Sequence, residues 1–436
     1  MHILTVTTSY PARPGDHRGV FVGDICEELA GRGHTITVLC PYPGHQMQDR
    51  EQQRGHASAR PRGGTIRVIR AGESLWGNRE QSTFGADGVL ETLARHPMDV
   101  LPIAGTVAAM TSRLDREAQH ADFLLSHWLF PFGWICAEVA KRRNLPHLCI
   151  EHGGGARLVS AIPGLAALLA MRMTERTRIQ FVSSEGRQRV LTGLRSGAAA
   201  GFLDRSFVFP VPGQRSAEAP SDRCQESSAV PRKNPLTEPA LLRCVLSGAA
   251  PLLRVLMVAR LVEGKGHDVL LEALRSLATP FRVSLVGEGP RQPELAGQIR
   301  DLSLAGHVEC TGAVAPARLP EFYRTHHVLV VPSLAPSRGT EVLRGEGTPR
   351  VLLEAMTHGC VPIAARVGGI PDVVEHEING LLFSPGDAGA LARLLQRVAA
   401  EPALLPRLQV NAQQTAARYG FDDLWRMWRE EVGVNV

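Results

Sequence analysis

At 436 residues the chain exceeds what one hydrophobic core ordinarily organises, so two domains are expected. Hydrophobic residues at 44% and charged residues at 21% exclude a largely disordered, collagen-like or coiled-coil chain. The formal charge of +5 lies wholly in residues 1–200, which hold 23 Lys/Arg against 18 Asp/Glu, and only Lys141, Lys233 and Lys265 are lysines. That arginine bias reads as genome composition, and no nucleic-acid partner is expected.

In chain order, strands are predicted at 2–7, 34–40, 65–71, 122–126, 146–150, 178–183 and 206–211. Helices are predicted between them at 20–32, 101–119, 132–143, 164–176 and 184–195. The N-terminal strand has no basic segment ahead of an apolar one, so no signal peptide is expected. The alternation implies right-handed crossovers and a parallel, doubly wound sheet. It stops near residue 213, where a stretch rich in Ser, Pro, Gln and charge reads as a linker or insertion over 213–250.

Alternation resumes with strands at 253–259, 281–286, 307–311, 327–331 and 361–364, and helices at 266–277, 291–303, 317–325, 349–358 and 387–400. The longest apolar stretch, Ala240 to Val258, is broken by Arg243 and Arg254, short of the ~18–20 residues of a membrane span. The last pattern, Phe421 to Val432, is amphipathic, with Trp425 and Trp428 on one face as packing residues. The eight cysteines (26, 40, 136, 149, 224, 244, 310 and 360) form no CxxC pair, which fits reduced, mostly buried thiols in a cytoplasmic protein.

Open α/β sheets bind ligands beyond the carboxyl ends of their strands, and the unusual residues fall there. Arg260-Leu-Val-Glu-Gly-Lys265-Gly266 follows one strand, Gly287-Glu-Gly289-Pro290 the next and Gly312 the third. A polar loop ending Arg344-Gly345-Glu346-Gly347-Thr348-Pro349 follows the fourth. In the first half His127-Trp128 and Glu151-His152-Gly153-Gly154-Gly155 hold the same position. Glycines at helix starts, with Arg260 and Lys265 as cations, suit a phosphate-bearing ligand. Pro349 is expected in the first turn of its helix. Glu346 and Glu354, eight apart, could accept from the diols of a sugar and a ribose. His127 and His147, beside apolar strands, read as satisfied core or rim residues.

These motifs together resemble a known family. Glu346-Gly-Thr-Pro-Arg-Val-Leu-Leu-Glu354 is similar to the E-x7-E signature of retaining GT-B glycosyltransferases, family 4 (glycosyl transferases group 1). It is followed by Asn379-Gly-Leu-Leu-Phe and Pro385-Gly-Asp. Val258-Ala-Arg-Leu-Val-Glu-Gly-Lys-Gly, Leu285-Val-Gly-Glu-Gly-Pro, Thr311-Gly and Val331-Pro-Ser extend the likeness. So do His127-Trp-Leu-Phe-Pro, His152-Gly and the segment from Pro11 to Val38 with Gly19.

The resemblance implies an α/β GT-B fold: two Rossmann-like doubly wound domains facing a central cleft. Residues 1–212 would bind acceptor and 251–420 donor, with the helix in 421–436 packing back on the first. It implies that Arg260 and Lys265 hold a donor diphosphate, Glu354 the ribose and Glu346 the donor sugar. The backbone of Gly347 and Thr348 would help position that sugar, Gly287 would line the donor site and Gly312 the base. Gly19 would allow close approach of phosphate or acceptor, and His152 would lie near the reacting sugar.

The implied reaction is retaining transfer from a UDP-, GDP- or ADP-linked sugar to a sugar, lipid-linked or small-molecule hydroxyl, in polysaccharide, glycolipid or glycosylated-metabolite biosynthesis. The nucleotide sugar is a co-substrate, and no cofactor or metal is expected. A cytoplasmic site, with loose attachment to the inner face of the membrane, accords with the basic first half. Two departures stand out: Phe209-Pro-Val-Pro-Gly213 replaces the family's Pro-Asn-Gly-type turn, and His152-Gly-Gly-Gly lacks a following acidic residue. A nicotinamide dehydrogenase would need a third glycine after Gly287-Glu-Gly289. An epimerase or phosphorylase of the same fold, or a non-catalytic partner, are the remaining alternatives. The second is disfavoured because both cations and both glutamates are present.

Overall fold

Apolar runs short enough for strands alternate with amphipathic segments, and the runs become strands, the central ones buried along most of their length. The computed structural model describes residues 1–11, 19–41, 52–55, 63–71, 100–173, 175–213, 252–335 and 346–434. The 213–250 segment beyond Gly213 lies outside the described residues, as do Arg344 and Gly345.

The described residues form two compact units. One takes those of Met1–Val211, Arg338–Gly347 and Phe421–Val436; the other takes those of Pro212–Ser337 and Thr348–Gly420. The first holds strands β1 (His2–Val6), β2 (Thr35–Cys40), β3 (Gln52–Gly55), β4 (Thr65–Arg70), β5 (Phe123–His127), β6 (His147–Glu151), β7 (Thr177–Phe181) and β8 (Ser206–Val208). Their order is β3-β4-β2-β1-β5-β6-β7-β8, all parallel except the antiparallel edge strand β3. Strands β5 and β6 are buried along their whole length, the mark of a sheet covered on both sides.

The covering helices are α1 (Val20–Gly31), α2 (Val100–Glu117), α3 (Trp134–Arg143), α4 (Gly154–Ala161), α5 (Leu165–Arg172), α6 (Ser184–Thr192) and α7 (Ser196–Leu203). The second unit holds β9 (Leu253–Val258), β10 (Phe281–Val286), β11 (Val308–Gly312), β12 (Val328–Val331), β13 (Val361–Ala365) and β14 (Leu381–Phe383), ordered β11-β10-β9-β12-β13-β14 and parallel. Its helices are α8 (His267–Arg275), α9 (Gln292–Asp301), α10 (Leu319–Thr325), α11 (Arg350–Thr357), α12 (Ile370–Val373), α13 (Ala388–Ala400) and α14 (Leu404–Ala416).

The terminal helix α15 (Phe421–Val432) belongs to the first unit. Trp425 and Trp428 are buried and meet edge to face, with ring centroids 4.9 Å apart. The Trp428 indole N–H donates to Gln180 Oε1 at 2.7 Å, and Arg32 lies over the Trp425 ring. Buried aromatic area with its polar atom satisfied, as at Trp428, is a strong anchor, whereas the buried Trp425 Nε1 has no partner among the described residues.

Some elements depart from the periodicity reading. Helix α4 opens with two glycines, which concealed it. Helix α14 carries Pro406 in its first turn, where a missing N–H costs no helical bond. Pro349 is the residue before α11 rather than its first helical residue, with ψ of 120°. Among the described cysteines, five are buried free thiols and Cys310 is exposed. Among the described residues no single helix is long and apolar enough to cross a membrane.

Candidate active site

In each sheet the strand order reverses once, between β1 and β5 and between β9 and β12. Loops leaving the carboxyl ends beside such a reversal diverge to opposite faces and leave room for a ligand. Those loops carry most of the residues singled out from the sequence.

In the second unit the rim is cross-bonded. Leu261 N–H donates to the Glu288 carbonyl, Gly287 N–H to Gly312, Arg291 N–H to Leu261 and Leu334 N–H to Gly264, all between 2.8 and 3.1 Å. The loops after β9, β10, β11 and β12 are therefore one structure, and Arg260, Lys265, Gly287 and Gly312 come together on it. Two glycines are required by this knitting. A Cβ on Gly266 would lie 1.9 Å from the Pro332 carbonyl oxygen, and one on Gly287 1.9 Å from that of Ala259. Both have positive φ, a conformation that costs other residues about 1–2 kcal/mol.

Gly266 caps α8, so the free N–H groups of that helix start directly after Lys265. Arg291 grips Asp268 in the first turn of α8 through two bonds of 2.8 Å, tying the helix start to the loop after β10. His267, the first residue of α8, is buried; its Nδ1 has no partner among the described residues, and burial pushes its pKa down to about 4.

Glu354 lies in α11, where its carboxylate accepts from the Tyr323 phenol at 2.9 Å and stands 4.0 Å from Arg350. Burial, then the Glu354 charge, raise the Tyr323 pKa well above that of an ordinary phenol. Arg350 Nε donates to the Pro212 carbonyl at 2.9 Å, and Gly213 is pressed against Glu354, leaving no room for a Cβ. Thr348 Oγ1 donates to the Gly369 carbonyl.

In the first unit Gly19 caps α1 with φ of 63°, and a Cβ there would meet the Ser9 carbonyl oxygen at 2.2 Å. Two residues on, Phe21 packs its ring 4.4 Å from that of His152 and 6.0 Å from Trp128. His127 and His152 stack at 5.2 Å, with His127 Nδ1 2.9 Å from His152 Nε2. His127 is fully buried, and burial pushes its pKa down to about 3, so its ring is neutral. Its Nε2 has no partner among the described residues.

The satisfied-core reading thus fits His147, held by Ser126 and Thr177, and does not fit His127. Glu346 and Gly347 also cluster with this unit. Arg157 Nη1 donates to the Glu346 carbonyl at 3.5 Å, and a Cβ on Gly347 would stand 2.9 Å from the His152 carbonyl oxygen.

The sequence assigns no role to Phe21, Arg157 and Tyr323, and marks Trp128 only by its place beside His127 at the rim. The aromatic and imidazole cluster offers an apolar wall with polar edges, suited to the face of a sugar ring.

Known proteins resemble the chain in part or along nearly all of its length. A family model described as glycosyl transferases group 1 matches residues 251–415. The GDP-mannose-dependent alpha-(1-6)-phosphatidylinositol monomannoside mannosyltransferase of Mycolicibacterium smegmatis is 30% identical over 98% of this chain and 95% of its own. The amylovoran biosynthesis glycosyltransferase AmsK of Erwinia amylovora is 34% identical, but over only 34% of this chain and 36% of AmsK. Among solved structures, HepE of Anabaena in complex with UDP superposes with a TM-score of 0.65, covering 99% of this chain and 100% of its own at 19% identity. At that identity the likeness concerns the fold alone, which is GT-B.

Proposed function

The chain belongs to the group 1 glycosyltransferases, and from that premise we propose that it moves a sugar from a nucleotide diphosphate sugar to a hydroxyl acceptor with retention at the anomeric carbon. It is a transferase of EC 2.4. GDP-mannose is the donor to try first, since a relative aligned over 95% of its length is named as GDP-mannose-dependent. The acceptor in this reading is a lipid-linked or polysaccharide hydroxyl.

The observation that carries the proposal is the knitted rim of the second unit. That rim carries Arg260 in the loop after β9 and Lys265 just before α8, and in this reading a diphosphate meets these cations and the N–H groups of the helix start. As the sugar leaves, negative charge accumulates on that diphosphate. Fixed cations and a helix start stabilise it without a metal and without reorganising. Glu354 accepts from the ribose in this reading, displacing the Tyr323 phenol or sharing it. Glu346 contacts the sugar, with the peptides of Gly347 and Thr348 beside it, and Gly312 borders the base.

His152, stacked on His127 and Phe21, acts on the sugar in this reading. Departure and attack then occur on one face within an ion-pair-like state. The E-x7-E spacing from Glu346 to Glu354 supports retention, and the want of an assigned nucleophile favours this front-face course over a covalent intermediate.

A cytoplasmic protein held loosely to anionic lipid is the location we propose. The net +5 of the first 200 residues and the basic last turn of α3, Lys141-Arg142-Arg143, support it. Asp115 pairs with Arg142 and Arg143 and takes up part of that charge.

A thermal-shift screen of nucleotide sugars tests the donor, because a ligand bound only by the folded state raises the melting temperature. Product anomeric configuration, read by NMR with the stabilising donor and a mannosyl-lipid acceptor, tests retention. No stabilisation by any nucleotide sugar would reject the proposal.

A further inference from the structure

We propose that Glu151 is a positioning residue for sugar transfer: its buried carboxylate locks the His127–Trp128 loop and the His152 loop into one geometry. The inference rests on the role given above to His152. Glu151 ends β6 and is 1% exposed. One carboxylate accepts from the Leu129 N–H at 2.8 Å and from the Gly153 N–H at 2.7 Å, and the Ala156 N–H also bonds to it. Leu129 directly follows Trp128, and Gly153 directly follows His152. A single side chain therefore fixes the peptides next to both residues that stack around the His127 ring.

The surroundings are built for this group. A Cβ on Gly155 would stand 2.3 Å from Glu151 Oε2, so glycine there leaves the carboxylate its place. Gly133, in the turn after β5, carries its own N–H to the Trp128 carbonyl, closing that loop from its other end. Arg157, itself buried, supplies a compensating charge.

A carboxylate is acceptor-only on both oxygens and can satisfy several N–H groups from two segments. A glutamine in its place would turn an NH2 against one of those donors. Burial pushes the Glu151 pKa up while the three N–H groups and Arg157 pull it back, and this fold places that acid where it orders a pair of rim loops.

The test uses Glu151→Gln and Glu151→Asp, the latter keeping the charge beside Gly153 and Arg157 while withdrawing it from Leu129. Nucleoside diphosphate affinity reports the second unit and is expected to stay within about twofold in both variants. kcat with the best donor is expected to fall about 10²-fold in Glu151→Gln, the scale of an ~1 Å misplacement, and less in Glu151→Asp. The 15N imidazole signals of His127 and His152 are expected to move in both variants.

Unchanged kcat, or unmoved imidazole signals, would overturn the proposal. So would a parallel loss of nucleotide affinity and melting temperature in both variants, since that marks a merely structural acid. The imidazole signals need no substrate, so they decide the positioning role even if the wild-type protein transfers no sugar and the functional reading itself fails.

Discussion

His127 Nδ1 lies 2.9 Å from His152 Nε2, and the two rings stack at 5.2 Å with an interplanar angle of 14°. One of the two nitrogens must donate and the other accept. The buried His127 ring is neutral, so it sets which tautomer and orientation His152 can adopt.

Residues that act as a unit show non-additive losses. His127→Leu and His152→Ala are each expected to lower kcat by about 10–10²-fold, and the double variant by little more than the worse single one. Losses that multiply would mean the rings act independently. Steady-state kinetics of the three variants decides.

Buried neutral histidines make the fold acid-sensitive. Burial holds His127 and His147 at about 3 and His267 and His327 at about 4, all below the ordinary value near 6.5. Below 6.5 the unfolded chain binds protons that the folded chain refuses, so stability falls as pH drops, and the loss is complete only below each folded value. Each imidazole contributes up to about 1.4 kcal/mol per pH unit in that window. Melting temperature is expected to fall steadily from pH 6.5 to pH 5, with the fall blunted in a His147→Gln variant. A flat profile would show that these rings are not excluded from water.

The rim glycines of the second unit differ in what they tolerate. Gly264 and Gly266 both have positive φ, at 86° and 76°, but a Cβ on Gly264 meets nothing within 4 Å, whereas one on Gly266 meets the Pro332 carbonyl at 1.9 Å. Gly264→Ala is expected to cost only the backbone penalty of about 1–2 kcal/mol. Gly266→Ala is expected to cost more and to raise donor KM as well, because the displaced loop carries Lys265. Denaturant titration with donor kinetics measures both; equal effects would show that the loops are not held together as described.

The diphosphate reading singles out Lys265, half-buried just before the start of α8. Losing one preorganised charge from a transition state costs roughly 10²–10³-fold in rate. Lys265→Ala is expected to lose that much turnover while its melting temperature without ligand stays near wild type. Wild-type turnover would remove Lys265 from the donor site.

What was legible in the sequence was what is local. The Gly-Lys-Gly turn at 264–266, the glycine at 19 and the spacing from Glu346 to Glu354 announce themselves within a few residues, because backbone conformation and helix starts are set by near neighbours. The β–α alternation gave the doubly wound sheets for the same reason. Pairings across strands were hidden. That Glu151 binds the peptide after Trp128 depends on β5 lying beside β6, and that Tyr323 meets Glu354 depends on α10 packing near α11. Phe21 had no mark of its own, being one apolar residue in an amphipathic helix. Helices α4 and α14 were hidden by glycine and proline at their starts, positions where helices accept them.

The two glutamates of the signature are held differently, and this separates their expected roles. Glu354 is inside α11 with the Tyr323 phenol on its carboxylate, a preformed acceptor whose geometry does not depend on the reaction. Glu346 precedes the helix with its carbonyl bonded by Arg157, and in the proposed reading its side chain contacts the sugar. An interaction equal in ground and transition states sets KM, whereas one that strengthens as charge develops sets kcat. Glu354→Gln is therefore expected to weaken binding of free nucleoside diphosphate, and Tyr323→Phe to change it in either direction by only a few-fold. Glu346→Gln is expected to leave that affinity nearly unchanged and to slow transfer by about 10–10³-fold, the equivalent of roughly 1.4–4 kcal/mol. Calorimetric titration of each variant with the nucleoside diphosphate, beside transfer rates at saturating donor, separates the two. If Glu346→Gln loses nucleotide affinity while Glu354→Gln keeps it, the roles are reversed and the ribose is held from the loop.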